Sequence, residues 1–167
     1  DMRSKAKSAN FGIVYGISSF GLAQNLNIPR KEAKELIDGY FKTYPKIKDY
    51  MDSNIKFARE HHFVETLKGR RRYLPDINSR NGNVRGIAER NAINAPIQGS
   101  AADVIKIAMI NVCRQFDEKN PDAKMILQVH DELVFDVAKN DVEEVKKIVK
   151  NEMEQALNLN VPLTVEI

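Results

Sequence analysis

The chain has a single cysteine, Cys113, among its 167 residues, which excludes an intramolecular disulfide. Its apolar helical neighbours predict a buried thiol rather than a nucleophile. So little cysteine fits a reducing cytoplasm. No run of about 18 apolar residues occurs, so no membrane-spanning helix is expected. A signal-peptide pattern is missing from the start of the chain, and neither repeats nor low-complexity segments are found. The net charge is only +3, which by itself makes no case for a nucleic-acid partner.

What is present is an ordinary globular composition, 43% hydrophobic and 29% charged, long enough for one sizeable core. The charges are unevenly distributed. Residues 65–90 hold seven cations (Lys68, Arg70, Arg71, Arg72, Arg80, Arg85, Arg90) against Glu65, Asp76 and Glu89, a local charge of +4. Residues 141–154 hold five acids against three lysines, a local −2. A basic block in a near-neutral chain is a candidate phosphate contact. The chain opens on Asp1, not on an initiator, and stops inside a strand-like run at 161–167. It is therefore expected to be a piece of a longer protein.

Punctuation residues mark out the elements. Residues 2–15 predict a helix ended by Gly16, and 19–26 a short one with Ser18 as N-cap. Pro29, at the first helical position, opens a helix over 30–43, and Pro45 another over 45–60. Residues 63–66 and 71–74 flank Lys68-Gly69 as a hairpin, followed by a polar loop at 77–84. A helical stretch over 85–118 contains Pro96, which predicts two segments or a bend. Beyond it Ala101, Val104, Ile105, Ala108, Met109, Val112 and Phe116 form a core-facing stripe. Strands are expected at 124–129 and 133–137, a helix at 142–157 and a last strand at 161–167. The pattern is α+β, mainly helical with a small antiparallel sheet.

Three constellations carry possible chemistry. Arg3, Lys7, Phe11 and Tyr15 are four apart, so they share one side of the first helix. Such a face could hold a polyphosphate on its cations and stack a base and sugar on its rings. Alternatively the rings are core and the cations snorkel. Gly12, costing about 1 kcal/mol in a helix relative to alanine, suggests room for something to approach closely. The second constellation is the basic run 69–76, followed by Arg90, Asn94 and Gln98. The basic run is a candidate phosphate contact. Otherwise Asn94 and Gln98 satisfy backbone groups around the proline, and the basic run is a solvated hairpin. The third is His130-Asp131-Glu132 between two apolar strands. Aspartate suits turns, but a carboxylate raised from a buried sheet is also a good ligand for a hard cation.

The first helix, Arg3-Ser-Lys-Ala-Lys7-Ser-Ala-Asn-Phe11-Gly12-Ile-Val-Tyr15-Gly16, resembles the fingers motif Arg-x3-Lys-x3-Phe-x3-Tyr-Gly of family A DNA polymerases, the bacterial polymerase I type. Gly69-Arg70-Arg71-Arg72-Tyr73-Leu74-Pro75, the segment from Glu89 to Asp103, and Val129-His130-Asp131-Glu132 resemble three further motifs of that family, in order. The resemblance implies a right-hand polymerase fold, with residues 1–84 in the fingers and 85–167 in part of the palm. It implies that Arg3 and Lys7 contact the triphosphate, that Phe11 packs on the nucleotide, and that Tyr15 sits beside the template. Phenylalanine at position 11 implies discrimination against dideoxynucleotides. Arg70, Arg90, Asn94, Gln98 and His130 would contact primer–template DNA. Asp131 would bind catalytic Mg2+, with Lys7, His130 and Glu132 also at the catalytic centre. The implied reaction is template-directed DNA synthesis from dNTPs in a monomeric, cytoplasmic, nucleoid-associated bacterial enzyme. One motif is missing from the chain: Asp-Tyr-Ser-x-Ile-Glu-Leu-Arg, which carries the family's other essential aspartate. The chain alone is therefore expected to be inactive. The rival readings are a non-enzymatic nucleic-acid-binding module and a nuclease using His130, Asp131 and Glu132.

Overall fold

Helix ends organise the first part of the molecule. A computed structural model describes residues 2–119 and 121–167. Helix α1 (Met2–Val14) ends in a Schellman motif. Ile17 N–H donates to the Gly12 carbonyl and Gly16 N–H to the Ile13 carbonyl, both at 2.9 Å, with Gly16 at φ 79°. Helix α2 (Ser19–Leu26) starts where the Ser18 hydroxyl accepts from Gly21 N–H at 3.1 Å and ends on Asn27 in the left-handed region, φ 54°. Helix α3 (Arg30–Thr43) takes Pro29 as its N-cap, one place earlier than expected, because ψ of 144° leaves that residue extended. Helix α4 (Pro45–His61) begins on its proline. Ile13, Leu22, Leu26 and Ala33 form the core under α1, α2 and α3.

A second core lies around the basic hairpin. Strands β1 (Phe63–Glu65) and β2 (Arg71–Tyr73) pair antiparallel, with Phe63 opposite Tyr73. Val64 is buried with Ala58, Leu74, Ile77, Ala88 and Ala92. Of the segment expected to be loop, residues 79–81 are irregular, while a 3-10 turn (Pro75–Asn78) takes its start and helix α5 (Gly82–Lys119) takes its end. Asn81 explains the early start, since its side chain accepts from Asn83 N–H at 3.0 Å and Val84 N–H at 3.5 Å, a capping pattern. Helix α5 passes Pro96 without interruption, so the two-segment alternative does not form. Buried Ala88, Ala92 and Ile93 before the proline, and Ile105, Ala108 and Val112 after it, hold both stretches helical by packing.

The chain divides into two compact units, Asp1–Gly99 and Ser100–Ile167, with the division inside α5. In the second unit, strands β3 (Ala123–Val129) and β4 (Glu132–Val137) form a two-stranded antiparallel sheet. Met125 and Phe135 pack with Phe116 of α5 and with Val145, Val149 and Met153 of helix α6 (Val142–Glu154) or the residues that it buries. The register shifts between Met125 and Leu127, so Ile126 is an extra residue in the ladder.

Three expectations need correction here. The sheet is not buried on both faces: Ile126, Leu127, Val129 and Val134 are exposed. Cys113 is exposed as well, because it lies about 100° around the helix from Val112 and off the buried stripe. Residues 161–167 form no strand. Alternation is not enough without a ladder partner, and within this segment Val165 N–H donates instead to the Glu154 carboxylate, 3.1 Å. Among the described residues no helix is long and apolar enough to cross a membrane.

Candidate nucleotide and nucleic-acid interface

The α1 face is presented to solvent. Arg3 and Lys7 are exposed, and so are the rings of Phe11 (52%) and Tyr15 (45%), although Ile13 on the same helix is buried at 3%. The alternative in which both rings are core is thus excluded. The Lys7 ammonium lies 5.8 Å from the Phe11 ring centroid, within cation–π range. Gly12 does not leave a vacancy for a ligand. A Cβ there would meet Ile17 Cγ2 at 3.2 Å, because the residue after the Schellman glycine folds its side chain back over the helix end.

The C-terminal end of α1 meets α5 within the first unit. A Cβ on Gly16 would lie 3.3 Å from Ile93 Cδ1 and 3.5 Å from Arg90 Cγ. Asn94 Nδ2 donates to the Tyr15 carbonyl at 3.5 Å. Tyr15, Arg90 and Asn94 are therefore brought together, although 79 residues separate the two hydrogen-bonded partners. Gln98 lies one turn further along α5, and Arg90 and Gln98 are both exposed.

Several cations of the basic block are committed to the protein itself. Arg71 Nε donates to Glu65 at 2.8 Å and its guanidinium lies 4.4 Å from the Phe63 ring centroid. Hydrogen bonding to Glu65, and next to Tyr73, raises the pKa of that guanidinium further above its ordinary value. Arg85 donates to the Ser79 carbonyl at 2.8 Å, and Glu89 of the same segment pairs with Arg59 of α4 at 2.5 Å. Arg70 Nη2 donates to the Gly99 carbonyl at 3.0 Å. Lys68, Arg72, Arg80 and Arg90 are exposed. Sequence reasoning gave Thr66 and Gly99 no role, yet they are where this hairpin meets α5. The contact spans too much chain for any local pattern to announce it.

In the second unit, His130 and Asp131 form the two-residue connection between β3 and β4, with Val129 opposite Glu132. His130 sits at φ 54°, which only a small share of non-glycine residues adopt. The Gln128 side chain donates to the His130 carbonyl at 2.9 Å and braces the turn. His130, Asp131 and Glu132 are all exposed. As donors the adjacent carboxylates suit Mg2+, which prefers oxygen and keeps several waters. They fit in kind but are few: among the described residues no three His, Cys, Asp or Glu side chains gather as a metal site.

These residues sit in a recognisable frame. The family model for DNA polymerase family A matches residues 1–167. The chain is 56% identical over its whole length to DNA polymerase I of Caldicellulosiruptor bescii, covering 20% of that protein. It is 58% identical over 161 residues, 96% of the chain, to DNA polymerase I of Streptococcus pneumoniae serotype 4, covering 18% of it. It thus spans about a fifth of the length of these curated relatives. A solved structure of the POL domain of Pol1 from M. smegmatis, in complex with DNA primer-template and dNTP, superposes with a TM-score of 0.92. The sequences there are 44% identical, over 96% of this chain and 28% of that one. With a match that runs from the first residue to the last, the chain belongs to DNA polymerase family A.

Proposed function

We propose that the chain is the nucleotide-binding fingers, residues 1–84, and part of the palm, residues 85–167, of a DNA-directed DNA polymerase. The observation that carries this reading is the exposed face of α1, where two cations and two aromatic rings follow one another at single-turn spacing. Exposed aromatic side chains next to cations suit a ligand with both charge and flat faces, as a dNTP has. Arg3 and Lys7 take the triphosphate, Phe11 the sugar and base, and Tyr15 the neighbourhood of the template. Arg90, Asn94 and Gln98, four apart on α5, face the primer–template duplex, joined by Arg72 of the hairpin. The complex of the M. smegmatis relative with primer-template DNA and dNTP supports these partners.

In the reaction a primer 3′-hydroxyl attacks the α-phosphate of a paired dNTP. The hydroxyl loses its proton to solvent as a new P–O bond forms, the bond from the α-phosphorus to the bridging oxygen breaks, and pyrophosphate leaves with that oxygen. Asp131, with Glu132 beside it, would hold Mg2+ through carboxylate oxygens. When bound, the metal ions stabilise charge on the attacking and leaving oxygens. Lys7 and Arg3 offset charge on the pyrophosphate and hold it for departure, while His130 orders the primer end. Binding the ions also needs further carboxylates, and the motif that supplies them in this family is not in the sequence. The isolated 167-residue chain should therefore give no primer extension at any Mg2+ concentration. In a full-length polymerase carrying this segment, Asp131→Ala should abolish extension and leave duplex binding largely unchanged. Extension assays on both proteins test the reading. Template-dependent extension by the isolated chain, absent from an identically purified Asp131→Ala chain, would refute the need for the second carboxylate. Normal extension by the full-length variant would remove Asp131 from the catalytic centre.

A further inference from the structure

The turn of the β1–β2 hairpin is seated on α5 at one point. Thr66 organises the turn. Its N–H donates to the Arg70 carbonyl at 2.9 Å and its own carbonyl accepts from Gly69 N–H at 2.9 Å. Its hydroxyl oxygen accepts from Lys68 N–H at 3.3 Å and Arg70 N–H at 3.2 Å. Gly69, at φ 78°, closes the turn. The methyl of Thr66 then points at α5. A Cβ built on Gly99 would lie 2.6 Å from Thr66 Cγ2 and 3.4 Å from Arg70 Nη2. The first distance is far inside van der Waals contact. Across the same gap Arg70 donates to the Gly99 carbonyl. Gly99 is thus a socket: the missing side chain admits the Thr66 methyl and leaves a carbonyl accessible to Arg70.

We infer that Thr66, Gly99 and Arg70 form a lock that fixes the basic hairpin on α5, and that Arg70 is a positioning residue rather than a phosphate contact. This deepens the polymerase reading, on which its consequence for DNA rests. The lock holds Arg72 of β2 and the row Arg90, Asn94 and Gln98 of α5 in one arrangement, so that both can engage the same duplex. A planar guanidinium suits this task, since it can span the gap with a directed bond where an ammonium supplies only a point charge.

The test uses the clash. Gly99→Ala adds one methyl, changes no charge and favours a helix intrinsically. Thr66→Ser removes only Cγ2 and keeps the hydroxyl that orders the turn. Amide hydrogen exchange on the 167-residue chain reads the result. Gly99→Ala should speed exchange at Thr66 and Gly69 by about tenfold or more while distant amides in α2 stay protected. The double variant Thr66→Ser, Gly99→Ala should return both amides to within about threefold of the parent. Arg70→Met should open the same amides without any clash. Unchanged hairpin amides in Gly99→Ala, or a double variant no better than Gly99→Ala alone, would overturn the lock. If Gly99→Ala loosens the whole first unit, the double variant must still restore it. Binding of a primer–template duplex by the same proteins tests the consequence. Gly99→Ala should weaken binding several-fold despite its unchanged charge, and Thr66→Ser should restore it. Loss of binding in Arg70→Met but not in Gly99→Ala would make Arg70 a direct phosphate contact and overturn its positioning role. A parent chain that binds no duplex counts against the polymerase reading, while the exchange result still decides the lock.

Discussion

Lys7 shares its helix face with the Phe11 ring, 5.8 Å from its ammonium, and with Arg3 one turn away. Charge-assisted hydrogen bonds contribute about 1.5–3 kcal/mol each. In a full-length polymerase carrying this segment, Lys7→Ala should therefore reduce the efficiency of nucleotide incorporation roughly 10- to 100-fold. Duplex affinity should change far less, and equal losses would indicate a general electrostatic role. Phe11→Tyr in the same protein should ease dideoxynucleotide use, read as chain termination in a competition assay. A quieter residue makes the stability of the first unit depend on pH in the alkaline range. The half-buried Tyr50 hydroxyl donates to the Ile93 carbonyl at 3.2 Å, and burial raises its pKa above 10.0. Because the folded value is the higher one, its contribution is complete below the unfolded pKa and is lost as pH rises through the folded pKa. Tyr50→Phe should cost about 0.5–1.5 kcal/mol at neutral pH. It should also flatten the decline in stability above pH 10, measured by urea unfolding at several pH values.

Among the elements, α2 shows how much rests on a short helix. It has eight residues, too few to be stable alone, so it depends on its Ser18 cap and on Leu22, which is fully buried among α1, α2 and α3. Leu22→Ala should cost about 2–5 kcal/mol and lower the thermal midpoint of the first unit without altering the exposed α1 face. A loss under about 1 kcal/mol would mean that the site collapses around the change. Elements of this kind were legible from the sequence because their determinants are local. Ser18 caps within three residues, Gly16 supplies a left-handed φ, Pro45 opens α4, and two polar residues turn β3 into β4. The four-residue spacing of Arg3, Lys7, Phe11 and Tyr15 was equally local. What escaped the sequence depends on partners distant along the chain. The Thr66 methyl finds Gly99 only after the hairpin has folded onto α5. Whether residues 161–167 form a strand is decided by an available edge, not by their alternation. The sheet shows one covered face and one exposed face, yet its apolar residues are written on both.

For the molecule as a whole, the cations available for direct phosphate contacts are fewer than the sequence count suggests. Seven cations lie between residues 65 and 90, but Arg70, Arg71 and Arg85 are held by Gly99, Glu65 and Ser79. Lys68, Arg72, Arg80 and Arg90 are the exposed remainder. About four phosphate contacts give a slope of log affinity against log salt of roughly −3 to −4, where seven would give roughly −6. Fluorescence anisotropy with a short duplex across a salt series measures it, and a slope near zero would remove the electrostatic interface altogether. The second unit has a chemical side of its own. Cys113 is the chain's only thiol, and it lies exposed on α5. Stored in air without a reductant, the protein should accumulate covalent dimers bridged at that position, visible on a non-reducing gel and dispersed by dithiothreitol. Kept reduced, it should accept one maleimide dye per molecule, so that a fluorophore can be placed at a known address without altering a single codon.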